Sequence, residues 1–399
     1  MVASSRGGTT PPPAMSSASR HRSESLAPAL AGLGALFVGL GLGRFAYTPL
    51  LPALVTAGWF TPGEAAGLGA ANLIAYLAGA AVARPLGRAI PLPPLMRGAM
   101  LATAASLAVC GLRPGIATFY ALRALAGVTG GVLMVLGPPS LLASVPAARR
   151  GRVGGIMFAG VGIGIVAASS ILPVLLRAGV PAAWHGLAAA ALVFALIGWR
   201  GWPPAPPPPP PHDSAAARPL RRLVLAYGVN AIPVVPHMIL LSDYVARGLG
   251  AGVTAGSAAF VLYGIGAALG PLIGGWIGDR LGFRRTLDLA VIVQTAAILL
   301  PAPVQTMPAA FVSAVIVGSL TPGIPPLVLN RAAEIAGPAG AARFWRAATI
   351  AFAVGQAVGA WATASAFARI EAHPPLFVAA AAVAALSLAM LPRGAARRA

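Results

Sequence analysis

The sequence predicts an all-α membrane protein of twelve transmembrane helices in two six-helix halves. Three observations carry that expectation. Of 399 residues, 58% are hydrophobic and only 9% are charged, whereas a soluble globule carries about 25% charged residues. At ~20 apolar residues per span and about ten per connection, the length accommodates roughly a dozen crossings. The basic residues, finally, recur in step with every second connection.

The apolar stretches lie near 28–53, 65–84, 97–112, 118–144, 153–176 and 182–200, then 221–246, 256–277, 287–304, 308–329, 344–367 and 374–391. Gly, Pro or Arg punctuates each boundary, and the third and ninth are short. Between the two groups run Trp202, Pro203, Pro204, Ala205 and the six prolines Pro206 to Pro211. Such a run donates no backbone hydrogen bonds and favours an extended spacer. The resulting division is a disordered tail at 1–25, a half at 26–200, a linker at 201–220, a second half at 221–392 and a short tail at 393–399. The first apolar stretch is too long for a cleaved signal, and no small-residue cleavage site closes it.

The net charge of +20 would indicate nucleic acid in a soluble chain. Here all 28 basic residues are arginines, and their placement explains the total. With the N-terminus inside, 22 fall in the tails, the linker and the connections after even-numbered spans. Only Arg113, Arg177, Arg247 and Arg369 fall on the opposite side, and Arg44 and Arg123 lie inside spans. Because arginine accumulates on the cytoplasmic side, both termini are expected in the cytoplasm and no nucleic-acid partner is implied. The single cysteine, Cys110, allows neither an internal disulfide nor a cysteine metal cluster.

The halves resemble each other. Gly282, in the connection after the eighth span, aligns with Gly87 after the second. Val161-Gly162-x-Gly164 matches Val354-Gly355-x-x-x-Gly359, and Pro49-x-x-Pro52 matches Pro233-x-x-Pro236. The shifts all lie near half the chain, as expected for parallel repeats of six helices, an arrangement found in carriers with a midplane binding site between the halves.

Gly275-x-x-x-Asp279-Arg280-x-Gly282, followed by Arg284-Arg285, resembles the signature loop of the major facilitator superfamily. Arg123-x-x-x-Gly127 is similar to the arginine motif that this superfamily associates with proton coupling. Gly41-x-Gly43-Arg44-Phe45-Ala46-Tyr47-Thr48-Pro49 and the segment Val235-Pro236-His237-Met238 with Asp243 resemble the YbfB/YjiJ branch. The resemblance implies a major facilitator fold and transport by alternating access. In two places the chain departs from the pattern. Arg84 stands where the first-half loop would carry aspartate, so gating would rest on Asp279 alone. Ala168-Ser169 replaces the Gly-Pro pair of antiporters, so export is not implied.

Individual residues add physical expectations. Arg44, deep in the first span, would lose about 2.5–3.5 kcal/mol facing lipid. It either faces a cavity or snorkels to the headgroups, and the cavity placement is the expectation. Tyr47 and Thr48 follow at i+3 and i+4 on the same face. Arg123 seeks an internal partner that the sequence does not name. Asn230, His237 and Tyr244 recur every seven residues and predict a polar stripe toward the cavity, with Gln356 as a further hydrogen-bonding group. The candidate solute site is therefore Arg44, Tyr47, Thr48, Asn230, His237 and Gln356. Candidate proton-coupling residues are Arg123, His237 and Asp243. Candidate gating residues are Gly275, Asp279, Arg280, Gly282 and Arg284, because a helix-end aspartate beside arginines makes a contact with two states.

Soluble chemistry is not indicated. The chain has no His-Glu-x-x-His, no phosphate-binding glycine-lysine loop and no closely spaced carboxylate pair, so neither catalysis, a cofactor nor a metal is expected. The expectation is a monomeric, multi-pass carrier in a bacterial inner membrane. It would move a small organic solute, anionic or zwitterionic, by alternating access in a proton-coupled cycle. The alternatives are a proton-antiport exporter of drugs or metabolites, and a membrane enzyme or receptor without transport.

Overall fold

The computed structural model describes residues 17–204 and 218–392, without the side chains of 17–25, 147–152, 218, 337–343 and 346. Twelve helical segments follow in order: α1 (Leu26–Thr56), α2 (Pro62–Ala89), α3 (Leu92–Cys110), α4 (Ile116–Ala143), α5 (Val153–Ala178), α6 (Val180–Ile197), α7 (Pro219–Gly248), α8 (Gly252–Leu281), α9 (Phe283–Leu299), α10 (Met307–Ala336), α11 (Ala347–Ile370) and α12 (Pro374–Met390). Ten of these are long and apolar enough to cross a membrane. The other two, α9 and α12, have 17 residues each.

The segments begin and end for local reasons. At α2, Thr61 accepts from the Glu64 backbone N–H while Glu64 reaches back to the Thr61 N–H, and Pro62 takes the first turn. That reciprocal arrangement satisfies two of the donors a helix start leaves open. Gly282, at φ +80, makes the turn between α8 and α9, a conformation glycine adopts without strain.

The sequence-based boundaries shift in two places. Helix extends back to Ser17, into the stretch read as a tail, because Ala18, Arg20, Arg22 and Glu24 favour helix and propagate α1 backwards. Helical geometry is also continuous from Met307 to Ile370, through the connection expected between the tenth and eleventh spans. The polyproline run and the C-terminal tail lie outside the described residues. Just before that run, Trp202 is buried and its indole N–H donates to the Gly198 carbonyl.

Small residues set the packing. A Cβ on Gly79 or Gly127 would run into the backbone of the opposite helix across the α2–α4 contact, and a Cβ on Gly270 or Gly318 would do the same across α8–α10. Gly164 meets Gly41 across α1–α5, and Gly355 meets Gly228 across α7–α11. The same helix pairs thus recur six helices on, which gives the sequence repeat its structural form. Membrane helices attract one another by such close contact, since lipid supplies no hydrophobic drive between them.

Where the halves meet, Thr48 of α1 donates to the Met238 carbonyl of α7. A Cβ on Gly63 of α2 would lie 2.9 Å from Ala368 of α11, and one on Gly162 of α5 would lie 2.9 Å from Ala268 of α8. Gly63 and Ala368 belong to the arginine-poor end, so the seam is closed there.

Candidate functional site

Two of the seam helices are irregular where they meet. In α1, Phe37–Phe45 is a nine-residue π-helical stretch between two α-helical segments. Its glycines let it widen while Gly41 presses on Gly164, and the Ala46 N–H reaches five residues back to the Gly41 carbonyl at 3.1 Å. In α7, regular helix stops at Asn230, resumes at Val235 and becomes π-helical over Tyr244–Gly248. Pro233 and Pro236 account for the interruption, since neither can donate to the ladder. Wide turns of this kind cluster at functional sites in helices.

Arg44 lies in the last turn of the π stretch of α1 and points across the seam. Its Nη2 donates to Gln356 Oε1 at 2.9 Å and lies 3.9 Å from the Met238 sulfur. The guanidinium also sits 5.1 Å from the Tyr76 ring centroid and 5.2 Å from that of Phe45. Gln356 Nε2 approaches the same sulfur at 3.8 Å. A small cavity of about 10 Å³, bounded by Arg44, Tyr47, Thr48, Asn72, Met238 and Ile239, lies beside this cluster. That is room for about one water. Around it the Tyr47 hydroxyl donates to the Ala65 carbonyl at 2.7 Å. Asn72 Nδ2 donates to the carbonyls of Gly43 and Arg123 at 3.2 and 3.0 Å.

Arg123 is 1% exposed and stacks over the Tyr47 ring at 4.6 Å. Its Nε and Nη2, like Nε of Arg44 and Oδ1 of Asn72, are buried without a hydrogen-bond partner. The ion pairs Arg247–Asp243, Arg331–Glu334 and His373–Asp243 all lie elsewhere. Two guanidinium groups therefore lie in the interior, Arg44 on the cavity wall and Arg123 behind the Tyr47 ring, with no ion pair to a carboxylate among the described residues.

The structure brings Arg44, Tyr47, Thr48 and Gln356 together as the sequence indicates. It separates Asn230 and His237 from them. Asn230 donates to Gln294 at 2.7 Å and to Ser387 at 3.2 Å, toward α9 and α12. His237 Nε2 lies 2.7 Å from Ser313 of α10, whose hydroxyl donates to the Ala297 carbonyl. Tyr244 donates to the Pro301 carbonyl. The seven-residue spacing does not make a cavity stripe, because the break at 231–234 interrupts the helix that would hold it in phase.

Asp243 is buried and bonded to both Arg247 and His373. In the signature loop Asp279, Arg280 and Arg284 are exposed. Arg280 stacks 3.4 Å from the Trp276 ring, and no hydrogen bond or ion pair among the described residues involves Asp279. Glu334 of α10 instead accepts from the Phe283 backbone N–H at 3.0 Å and from Arg331 at 2.9 Å. Gly282 supplies the turn expected of it. Gly275 has open space where close backbone approach was expected.

Sequence reasoning did not single out Asn72, Tyr76 or His373, and it quoted Met238 only as part of the branch motif, with no role. Asn72 carried a usable signal, as the only amide or charged side chain of α2 between Glu64 and Arg84. His373 carried none, since a histidine in a turn is unremarkable there, and Met238 had only its place in the motif.

A family model described as “Uncharacterised MFS-type transporter YbfB” matches residues 36–391. Among solved structures, the chain is similar to a bacterial homolog of the human lysosomal transporter Spinster, described as inward-facing and unoccupied. That similarity has TM-score 0.69 and 15% identity, over 93% of this chain and 96% of the other. The inward-facing and occupied form of the same kind of protein gives TM-score 0.67 and 16% identity, over 91% and 95%. No protein of curated function matches.

Proposed function

Because the chain belongs to the YbfB-type family of major facilitator transporters, we propose that it is a secondary carrier of a small organic anion, working by alternating access in a proton-coupled cycle. The single observation behind the solute class is the pair of buried arginines, Arg44 on the cavity wall and Arg123 behind the Tyr47 ring of that wall, each with unpartnered N–H groups and neither in an ion pair with a described carboxylate. An uncompensated buried charge costs about 3–5 kcal/mol, and a solute carboxylate entering between the halves would offset that cost. In this reading Arg44 and Gln356 bind the solute from opposite halves, Tyr47, Thr48 and Asn72 complete the wall, and Arg123 adds field from behind the Tyr47 ring.

The closed arginine-poor end and the exposed, unpaired Asp279 support assigning this conformer to the inward-facing limb of the cycle, which is also how the two similar structures are described. On that assignment the arginine-rich end faces the cytoplasm of a bacterial cell, both termini are cytoplasmic, the monomer is the working unit, and Asp279 gates the cytoplasmic mouth. The test is counterflow in proteoliposomes against a panel of labelled mono- and dicarboxylates. Exchange of at least one, weakened by Arg44→Ala, is the expected result. Exchange of none, or exchange of cationic solutes instead, would remove the anion reading.

A further inference from the structure

At the arginine-poor end of α7 lies a second polar cluster, separate from the solute cavity. Asp243 is the one buried carboxylate among the described residues. Its Oδ1 accepts from Arg247 Nε at 2.5 Å, its Oδ2 accepts from Arg247 Nη2 at 2.6 Å, and Oδ2 also lies 2.9 Å from His373 Nε2. His373 reaches in from the turn between α11 and α12, just after Glu371 turns the chain through a left-handed φ of 48. The imidazole is 6% exposed and packs 4.9 Å from the Phe367 ring and 5.5 Å from the Tyr244 ring. A Cβ on Gly248 would come within 3.0 Å of His373 Nδ1, so glycine leaves that nitrogen uncovered. Arg247, with 27% of its side chain exposed, connects the cluster to solvent.

The titratable and charged groups facing this histidine are few: Asp243, Arg247 and Tyr244, all from α7. The Tyr244 hydroxyl is committed to the Pro301 carbonyl. Five residues before Asp243 on the same regular segment stands Met238. Its carbonyl holds Thr48, and its sulfur touches both Arg44 and Gln356. The cluster is thereby joined to the solute site through one short helical segment.

We propose that Asp243, Arg247 and His373 form a proton-binding site at the outer end of α7, which when loaded holds the outer seam closed over the solute cavity. One proton from the outer solution bonds to His373 Nδ1, while the hydrogen on Nε2 donates to Asp243 throughout. No other bond changes. The imidazolium makes that contact charge-assisted, about twice as strong as its neutral form. It draws the α11–α12 turn onto α7 and keeps Met238 seated against Arg44 and Thr48. The proposal deepens the transport reading and rests on the orientation given there.

The test needs no solute. Nitroxide labels on Ala57→Cys and Thr254→Cys, in a Cys110→Ser background, place one reporter on each half at the outer end, both at exposed positions. Pulsed electron spin resonance in lipid nanodiscs then measures their separation with hydronium as the only ligand varied. Lowering the pH from about 7.5 to about 5.5 is expected to raise the short-distance fraction about threefold or more. His373→Gln and Asp243→Asn are each expected to abolish that response. No response in the background protein would overturn the proposal. So would an unchanged response in His373→Gln, or equal shifts at both pH values in that variant, which a merely structural role would give. Should Asp243→Asn fail to assemble, His373→Gln decides alone. Counterflow on the same background separates the two readings. Carboxylate exchange without a pH response removes this site only, and a pH response without exchange removes the solute class only.

Discussion

A guanidinium carried into the membrane interior must be bonded on every side it presents, and Arg44 is bonded on only some. The Gln356 oxygen and two aromatic rings receive it, while Nε has no partner. A hydrogen bond to a charged group contributes about 1.5–3 kcal/mol, so Arg44→Ala is expected to raise the half-saturation constant for counterflow about 10- to 100-fold. Arg44→Lys should recover only part of this, because an ammonium keeps the charge but loses the planar fork and the stacking. For His237 the expectation is opposite. It faces Ser313 in the packed interior of the second half, so His237→Gln should leave the half-saturation constant within about twofold. The loss should appear as about 1–2 kcal/mol of stability, the scale of one buried hydrogen bond, seen as a lower thermal midpoint. A large rise in half-saturation with no loss of stability would return His237 to the solute site. At this scale the sequence is legible wherever chemistry is out of place: Arg44 and Gln356 stand out because charge and amide groups are rare in spans. Asn72 obeys the same rule. What the sequence hides is direction. Asn230 and His237 have the composition of a binding stripe, but Pro233 and Pro236 break the helix between them and each turns to its own partners.

Helices in this molecule meet through glycine, and glycines of two kinds can be told apart. Those at 79, 127, 270 and 318 leave no volume, because a Cβ would strike the backbone of the neighbouring helix. Overpacking of this kind costs about 1–3 kcal/mol per site, so Gly270→Val should sharply reduce the yield of monodisperse protein on size-exclusion chromatography. Gly275 has open space around it, although it belongs to the signature loop. If that glycine is needed only when the cytoplasmic mouth closes, Gly275→Val should purify and melt like the parent while counterflow falls about tenfold, a barrier change of ~1.4 kcal/mol. Unchanged counterflow would show that the first position of the motif plays no part in the gate. The spans themselves were readable from apolar length. Their junctions were less so: helix runs on to Ser17 at one end of α1 and through the connection between α10 and α11. Before α1 helix-favouring residues continue past the first apolar one, whereas between α10 and α11 helix persists through Gly337, Pro338 and Gly340 against their propensity, and hydropathy alone marks neither boundary.

The asymmetry of the whole molecule is electrostatic before it is structural. Of 28 arginines, 22 belong to one end by the alternation of the chain, and the seam between the halves is closed at the other. If arginine-rich connections stay in the cytoplasm, the closed end faces outward, as the inward-facing assignment proposed above requires. That link between charge and conformational state can be tested without knowing the solute. In the Cys110→Ser background, cysteine placed at Ala57 should react with an impermeant maleimide in intact cells, whereas cysteine placed at Pro210 should react only after the membrane is permeabilised. Alternating access then predicts a second difference. Cysteine replacing Ile239, buried in the seam against Gly69, should be protected from the outer reagent in the closed form. It should become reactive in the Gly63→Trp variant, where bulk against Ala368 wedges the outer ends apart. Labelling of Pro210→Cys from outside would invert the molecule. It would turn the closed seam into a cytoplasmic gate and place His373 on the cytoplasmic side, so the direction of proton entry and the site of solute release would both be exchanged.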